Sequence, residues 1–178
     1  MCDLNKIGAL IAAACVAVLV AAVLSAAAAT AAGTFYGAFG NSVLMIAGAV
    51  AIGLALVSIN VAIQSVGPCV SGACKGLADT LQKALIALAL GLTILLAAFI
   101  VGMFGASIPW AGVAVAIGLG VGAAAIGISL LVARSNLVAL EACRNTPPSS
   151  GVGAVNILVV ITLVALVILS GGIVFGGW

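Results

Sequence analysis

The chain has 178 residues, 66% of them hydrophobic and only 4% charged, with a mean hydropathy of +1.54; soluble domains carry about 45–50% and 25%, so a water-soluble fold is excluded. Five basic and three acidic side chains leave a net charge of +2, and there is no histidine. That balance cannot build a phosphate-tracking nucleic-acid surface, and it excludes a self-contained haem, His-ligated copper or His-based acid–base site.

A helix crossing roughly 30 Å of hydrocarbon needs about 20 apolar residues at 1.5 Å each, and five runs meet that need. The first, 7–32, follows Asp3 and Lys6; its apolar core exceeds the roughly 7–15 residues of a secretory signal, so it reads as a span. It carries a ridge of small residues at i+4: Ala13, Ala17, Ala21, Ser25 and Ala29. After a break at 33–41, the second run, 42–66, contains Ala47, Ala51 and Ala55 and then Asn60 and Gln64, which share one face near its end. The break at 67–83 holds Pro68, Cys69, Cys74, Lys75, Asp79 and Lys83. The third run is 84–106, with Ala98, Gly102 and Ala106; a short break at 107–110 contains Pro109.

The fourth run, 111–133, carries Ala114, Gly118 and Gly122, and its helical pattern continues to Arg144. Such a helix is about 50 Å long and stands out of the bilayer. The break at 134–153 includes Pro147 and Pro148, and the fifth run, 155–176, ends near Gly172 and Gly176. Every proline falls in a break, where helices stop, and no run alternates with period 2. Helices rather than a barrel are implied. The expected fold is one membrane domain, 1–178, an all-α bundle of five transmembrane helices.

Threaded alternately, the five spans put every charge, Asp3, Lys6, Lys75, Asp79, Lys83, Arg134, Glu141 and Arg144, on one side. Phe35, Tyr36, Phe39, Phe104, Trp110, Phe175 and Trp178 gather on the other. Five Lys and Arg against none predict that the N-terminus and charged loops are cytoplasmic and the C-terminus opposite, where the aromatics form an interfacial belt.

Membrane helices associate by close backbone approach at small residues, and Gly118 and Gly122 are the packing positions expected to matter most in the fourth span. Short echoes, such as Ala9–Ala12 with Ala84–Ala87 and Ala51–Leu54 with Ala116–Leu119, suggest two parallel two-helix repeats followed by a fifth helix.

The glycine-rich stretch Ala116–Gly127 is similar to the rotor proteolipids of rotary ATPases. Those proteins need a carboxylate in mid-membrane, however, and here Asp3, Asp79 and Glu141 all lie outside the apolar runs. No ionisable residue marks an ion path, and no phosphate-binding loop pattern is present, so no catalytic, cofactor or metal residues are assigned and no enzyme activity is expected. Ser and Thr in the spans can return their hydroxyls to the helix backbone. Asn60 and Gln64 cannot, and they are expected either to bond across helices or to form a polar lining.

Four of the five cysteines, Cys2, Cys69, Cys74 and Cys143, lie among the charged segments, with Cys15 alone in a span. Three explanations stand: structural disulfides, which need an oxidising compartment or a hyperthermophile cytosol; unpaired thiols; or metal or redox chemistry, for which the spacing lacks the usual Cys-x-x-Cys. If disulfides exist, one of them is expected to join Cys143 to Cys69 or Cys74.

The expected role is that of a structural or accessory subunit of a membrane assembly, with lipids and other membrane subunits or copies of itself as partners. The alternatives are a channel or carrier for a small neutral solute and, third, a membrane thiol oxidoreductase.

Overall fold

The computed structural model describes residues 3–32, 42–69, 74–105, 111–143 and 150–174. The helices are α1 (Leu4–Ala32), α2 (Ser42–Val66), α3 (Lys75–Gly105), α4 (Ala111–Cys143) and α5 (Ser150–Val174), with a 3-10 turn, Gly67–Cys69, after α2. All five are long and apolar enough to cross a membrane.

The ends have local causes. Asp3 caps α1: its carboxylate accepts the Lys6 N–H at 3.2 Å, and its carbonyl accepts the Ile7 N–H at 3.1 Å, which satisfies donors that a helix start leaves open. Pro68, which cannot donate to the preceding turn, sits in the 3-10 turn where α2 stops.

Three starts come earlier than the apolar runs predict: α1 begins at Leu4 rather than 7, and two others differ by more. α3 begins at Lys75 rather than 84, because the charges that read as loop lie at i, i+4 and i+8 on one face of its first turns. Lys83 Nζ pairs with Asp79 at 3.1 Å at i, i+4, and the Thr80 hydroxyl donates to the Gly76 carbonyl at 2.9 Å. Cys74, Ala78 and Leu81 bury the other face. α5 begins at Ser150 rather than 155, since Val152 and Val155 are buried and Asn5 of α1 accepts the Gly151 N–H at 2.9 Å.

Each helix packs on its chain neighbours, and α5 returns to α1, closing a ring of five. Ile7, Ile11, Ile52, Ile59, Leu81, Leu85, Leu92, Ile126 and Leu137 fill the interior. The outside is equally apolar, with Val57 60%, Ile128 65% and Val167 71% exposed. Helices that are apolar on every face belong in lipid, and the five-helix bundle is a polytopic membrane protein.

The suggested repeat does not carry a shared packing. Ile11 is buried while its counterpart Ile86 is 46% exposed, and Ile52 is buried while Ile117 is 62% exposed. Identical tetrapeptides therefore sit on different helix faces.

Candidate functional site

Four contacts bring five helix ends together. The start of α1 meets the start of α5 through Asn5 and Gly151. Asp3, just before α1, and Lys6 within it border one hollow with Gln64 and Ser65 at the end of α2. The residue before α3, Cys74, is bonded to the last residue of α4, Cys143, and Arg134 of α4 reaches Asn156 in the second turn of α5. Asp3, Lys6, Lys75, Asp79, Lys83, Arg134 and Glu141 thus share one end of the bundle. The aromatic belt expected at the other end rests on residues whose side chains all lie outside the described ones; Phe99, which is not part of that belt, is buried within α3.

The Cys74–Cys143 bond spans Cα atoms 6.3 Å apart across 69 residues of sequence. It staples the open end of the α3–α4 hairpin. Cys143 thus takes Cys74, one of its two expected partners. Cys2 lies outside the described residues, and of Cys69 only the backbone, in the 3-10 turn, is described. Cys15 is free and buried in the core. Among the described residues no group of three or more metal-ligating side chains occurs.

The Arg134 guanidinium donates from Nε to Asn156 Oδ1 at 2.8 Å, a charge-assisted contact that ties α4 to α5 where both leave the apolar zone. Sequence reasoning missed it, and missed Asn5 as well. Both need a partner from a distant helix, and the available signal was only a polar residue near the first turn of a membrane helix.

Of the polar span residues, Thr93 and Ser65 follow the expected pattern, donating to the carbonyls of Ala89 at 2.8 Å and Val61 at 2.9 Å. Thr162 departs from it. Its hydroxyl is fully buried and makes no hydrogen bond among the described residues; the Cys15 thiol is a polar neighbour.

Asn60 and Gln64 are both exposed, on the outside of α2, so they do not line the interior of the bundle. Asn60 makes no side-chain hydrogen bond among the described residues. Seven residues earlier on the same face is Gly53, where an added Cβ would meet nothing within 4 Å.

Other glycines face inward. A Cβ at Gly122 would come 3.2 Å from the Leu95 nitrogen and 3.3 Å from the Gly91 oxygen, and one at Gly118 would come 3.1 Å from the Ala98 Cβ. Both therefore face α3 of the same chain, and the neighbours expected of that ridge are internal. Comparison of the chain with protein-family models, with curated proteins and with solved structures finds no match.

Proposed function

We propose that this protein is a structural or accessory component of a membrane assembly, joined to copies of itself or to other membrane subunits through small-residue helix faces. The observation that carries this reading is the outward face of α2, where Gly53 lies in open space and Asn60 and Gln64 are exposed. A helix-interior glycine costs about 1 kcal/mol relative to alanine, and no contact among the described residues offsets that at Gly53. An amide facing lipid is unsatisfied unless another helix supplies a partner. A small residue and two amides on one face suit a second helix lying against α2. Gly120 on α4 and Gly153 on α5 offer similar open positions.

Within the chain, the bundle itself assembles through small residues: Gly8 against Gly151, and Gly91 and Gly122 against the facing backbones of α4 and α3. The charged end faces the cytoplasm, on the count of five Lys and Arg against none. The Cys74–Cys143 bond favours a second orientation, with that end in an oxidising compartment, unless the cytosol is of the disulfide-rich hyperthermophile kind.

A second functional reading, a path for a small neutral solute, draws on Asn60 and Gln64. Because they face outward, that path would run between copies rather than through one bundle.

Native mass spectrometry of the full chain from mild detergent tests the association. The wild type is expected as a defined oligomer or with co-purifying subunits, and Gly53→Ile and Asn60→Leu are expected to release a monomeric bundle that remains folded. A wild type that is monomeric and unaccompanied overturns the proposal.

A further inference from the structure

At the charged end, α1 and the end of α2 enclose an open hollow of about 310 Å3 lined by Asp3, Lys6, Val61, Gln64, Ser65 and Pro68. Asp3 precedes α1, Gln64 and Ser65 lie in the last turn of α2, and Val61 is one turn earlier; on the membrane-spanning reading of both helices, this end lies at the level of lipid headgroups. Asp3 and Lys6 do not neutralise each other. Asp79 and Lys83 pair at 3.1 Å elsewhere on the same end, but the Lys6 ammonium and the Asp3 carboxylate form no ion pair among the described residues; they are linked only by the Lys6 backbone N–H on Asp3 Oδ1.

The hollow therefore presents one free positive and one free negative group with no net charge. The Gln64 amide makes no hydrogen bond among the described residues. The Ser65 hydroxyl already donates to the Val61 carbonyl and can only accept from a ligand.

We propose that this hollow is a binding site for a zwitterionic phospholipid headgroup carrying a primary ammonium, of the phosphoethanolamine class. The free oxygen of Asp3 and the Ser65 oxygen accept from the ammonium, while Lys6 and the Gln64 amide donate to the phosphate. A choline headgroup has no N–H to donate to Asp3, and a purely anionic headgroup leaves Asp3 facing negative charge. The inference rests on the membrane-spanning reading of α1 and α2; it uses the Gln64 amide, so a helix lying against α2 would meet Gly53 and Asn60 there without it.

The test is lipid retention by the full-length protein in native mass spectrometry after exposure to equal amounts of phosphatidylethanolamine, phosphatidylcholine and phosphatidylglycerol. The wild type is expected to keep the ethanolamine lipid over the choline lipid at least about fivefold, the ratio one net hydrogen bond of about 1 kcal/mol supplies. Asp3→Asn retains a good helix cap but should abolish that preference and raise retention of the anionic lipid. Lys6→Gln should lower retention of all three lipids, whereas Lys75→Gln, at the same end but outside the hollow, should leave the ratios unchanged.

Equal retention of the three lipids by the wild type, unchanged preference in Asp3→Asn, or an equal loss in Lys75→Gln each overturns the site. Retention of soluble phosphoethanolamine as strong as that of the lipid overturns the assignment to a lipid.

Discussion

Glycines sit at two seams of the bundle in different surroundings. Between α1 and α5, an added Cβ at Gly8 would come 2.8 Å from the carbonyl carbon of Gly151 and 2.9 Å from the nitrogen of Val152, and one at Gly151 would strike the Asn5 carbonyl oxygen. Backbone faces backbone there, at the very start of both helices, and Asn5 adds a hydrogen bond across the gap. Between α3 and α4 the approach is looser. Gly118 faces the Ala98 methyl at 3.1 Å, Gly122 faces backbone at 3.2 Å, and the disulfide closes the end. The worth of a glycine depends on what lies opposite: a backbone held in a helix cannot retreat, while a side chain or a helix with slack can.

The largest expected effect of a point change follows from that contrast. Gly151→Ala should destabilise the bundle by about 3 kcal/mol, the upper end of overpacking costs, read as a fall in melting temperature in mild detergent. A loss under 1 kcal/mol would mean that α1 and α5 can separate at little cost, and the seam would not be the rigid one.

Removing the staple comes next. Joining residues 69 apart stabilises by about 4 kcal/mol in the chain-entropy model. A membrane protein loses less, because its helices remain inserted when the bundle opens and the open state is already confined. Cys74→Ser and Cys143→Ser are therefore expected to cost about 2 kcal/mol each and the double variant no more than either. Additive losses would show that the two sulfurs act separately rather than as one bond.

Asn156→Ala, which takes the acceptor from Arg134, should cost about 1–2 kcal/mol, as for hydrogen bonds to charged groups at a half-buried site. Arg134→Gln in the same background should add little. The smallest effects separate two glycines of one ridge. Gly122→Ala should cost about 1 kcal/mol against backbone, while Gly118→Ala should be near neutral, because a gain of about 1 kcal/mol in helix propensity offsets a slight push on Ala98. Equal losses at both would erase the distinction between backbone and side-chain neighbours.

Much of this architecture is written locally. The bounds of α2 follow directly from its apolar run, since a break at Pro68 ends it. The gathering of charges at one end follows from their scarcity and their confinement to segments between spans. α3 is harder to bound: a stretch containing Lys75, Asp79 and Lys83 looks like a loop until its buried face, Cys74, Ala78 and Leu81, has something to pack on. Pairings across the chain were illegible for the same reason. Asn5 finds its partner 146 residues away, and nothing marks Gly8 and Gly151 among 23 glycines. At the candidate site, Asn60 and Gln64 could be placed on one face by spacing alone. Whether that face looks into the bundle or away from it is decided by the packing of α2 against α1 and α3, which periodicity cannot show in a helix that is apolar all round.

The proposed threading, with every charge on the cytoplasmic side, is tested most directly by labelling intact cells with a membrane-impermeant maleimide. The protein would lack Cys2, Cys15 and Cys69 but keep the Cys74–Cys143 bond, with a single new cysteine at Ser107 or at Ser149 on either side of α4. The account predicts labelling at Ser107 and protection at Ser149. Equal labelling at both would contradict a membrane-crossing α4, and the reverse pattern would place the charged, disulfide-bearing end outside the cytoplasm.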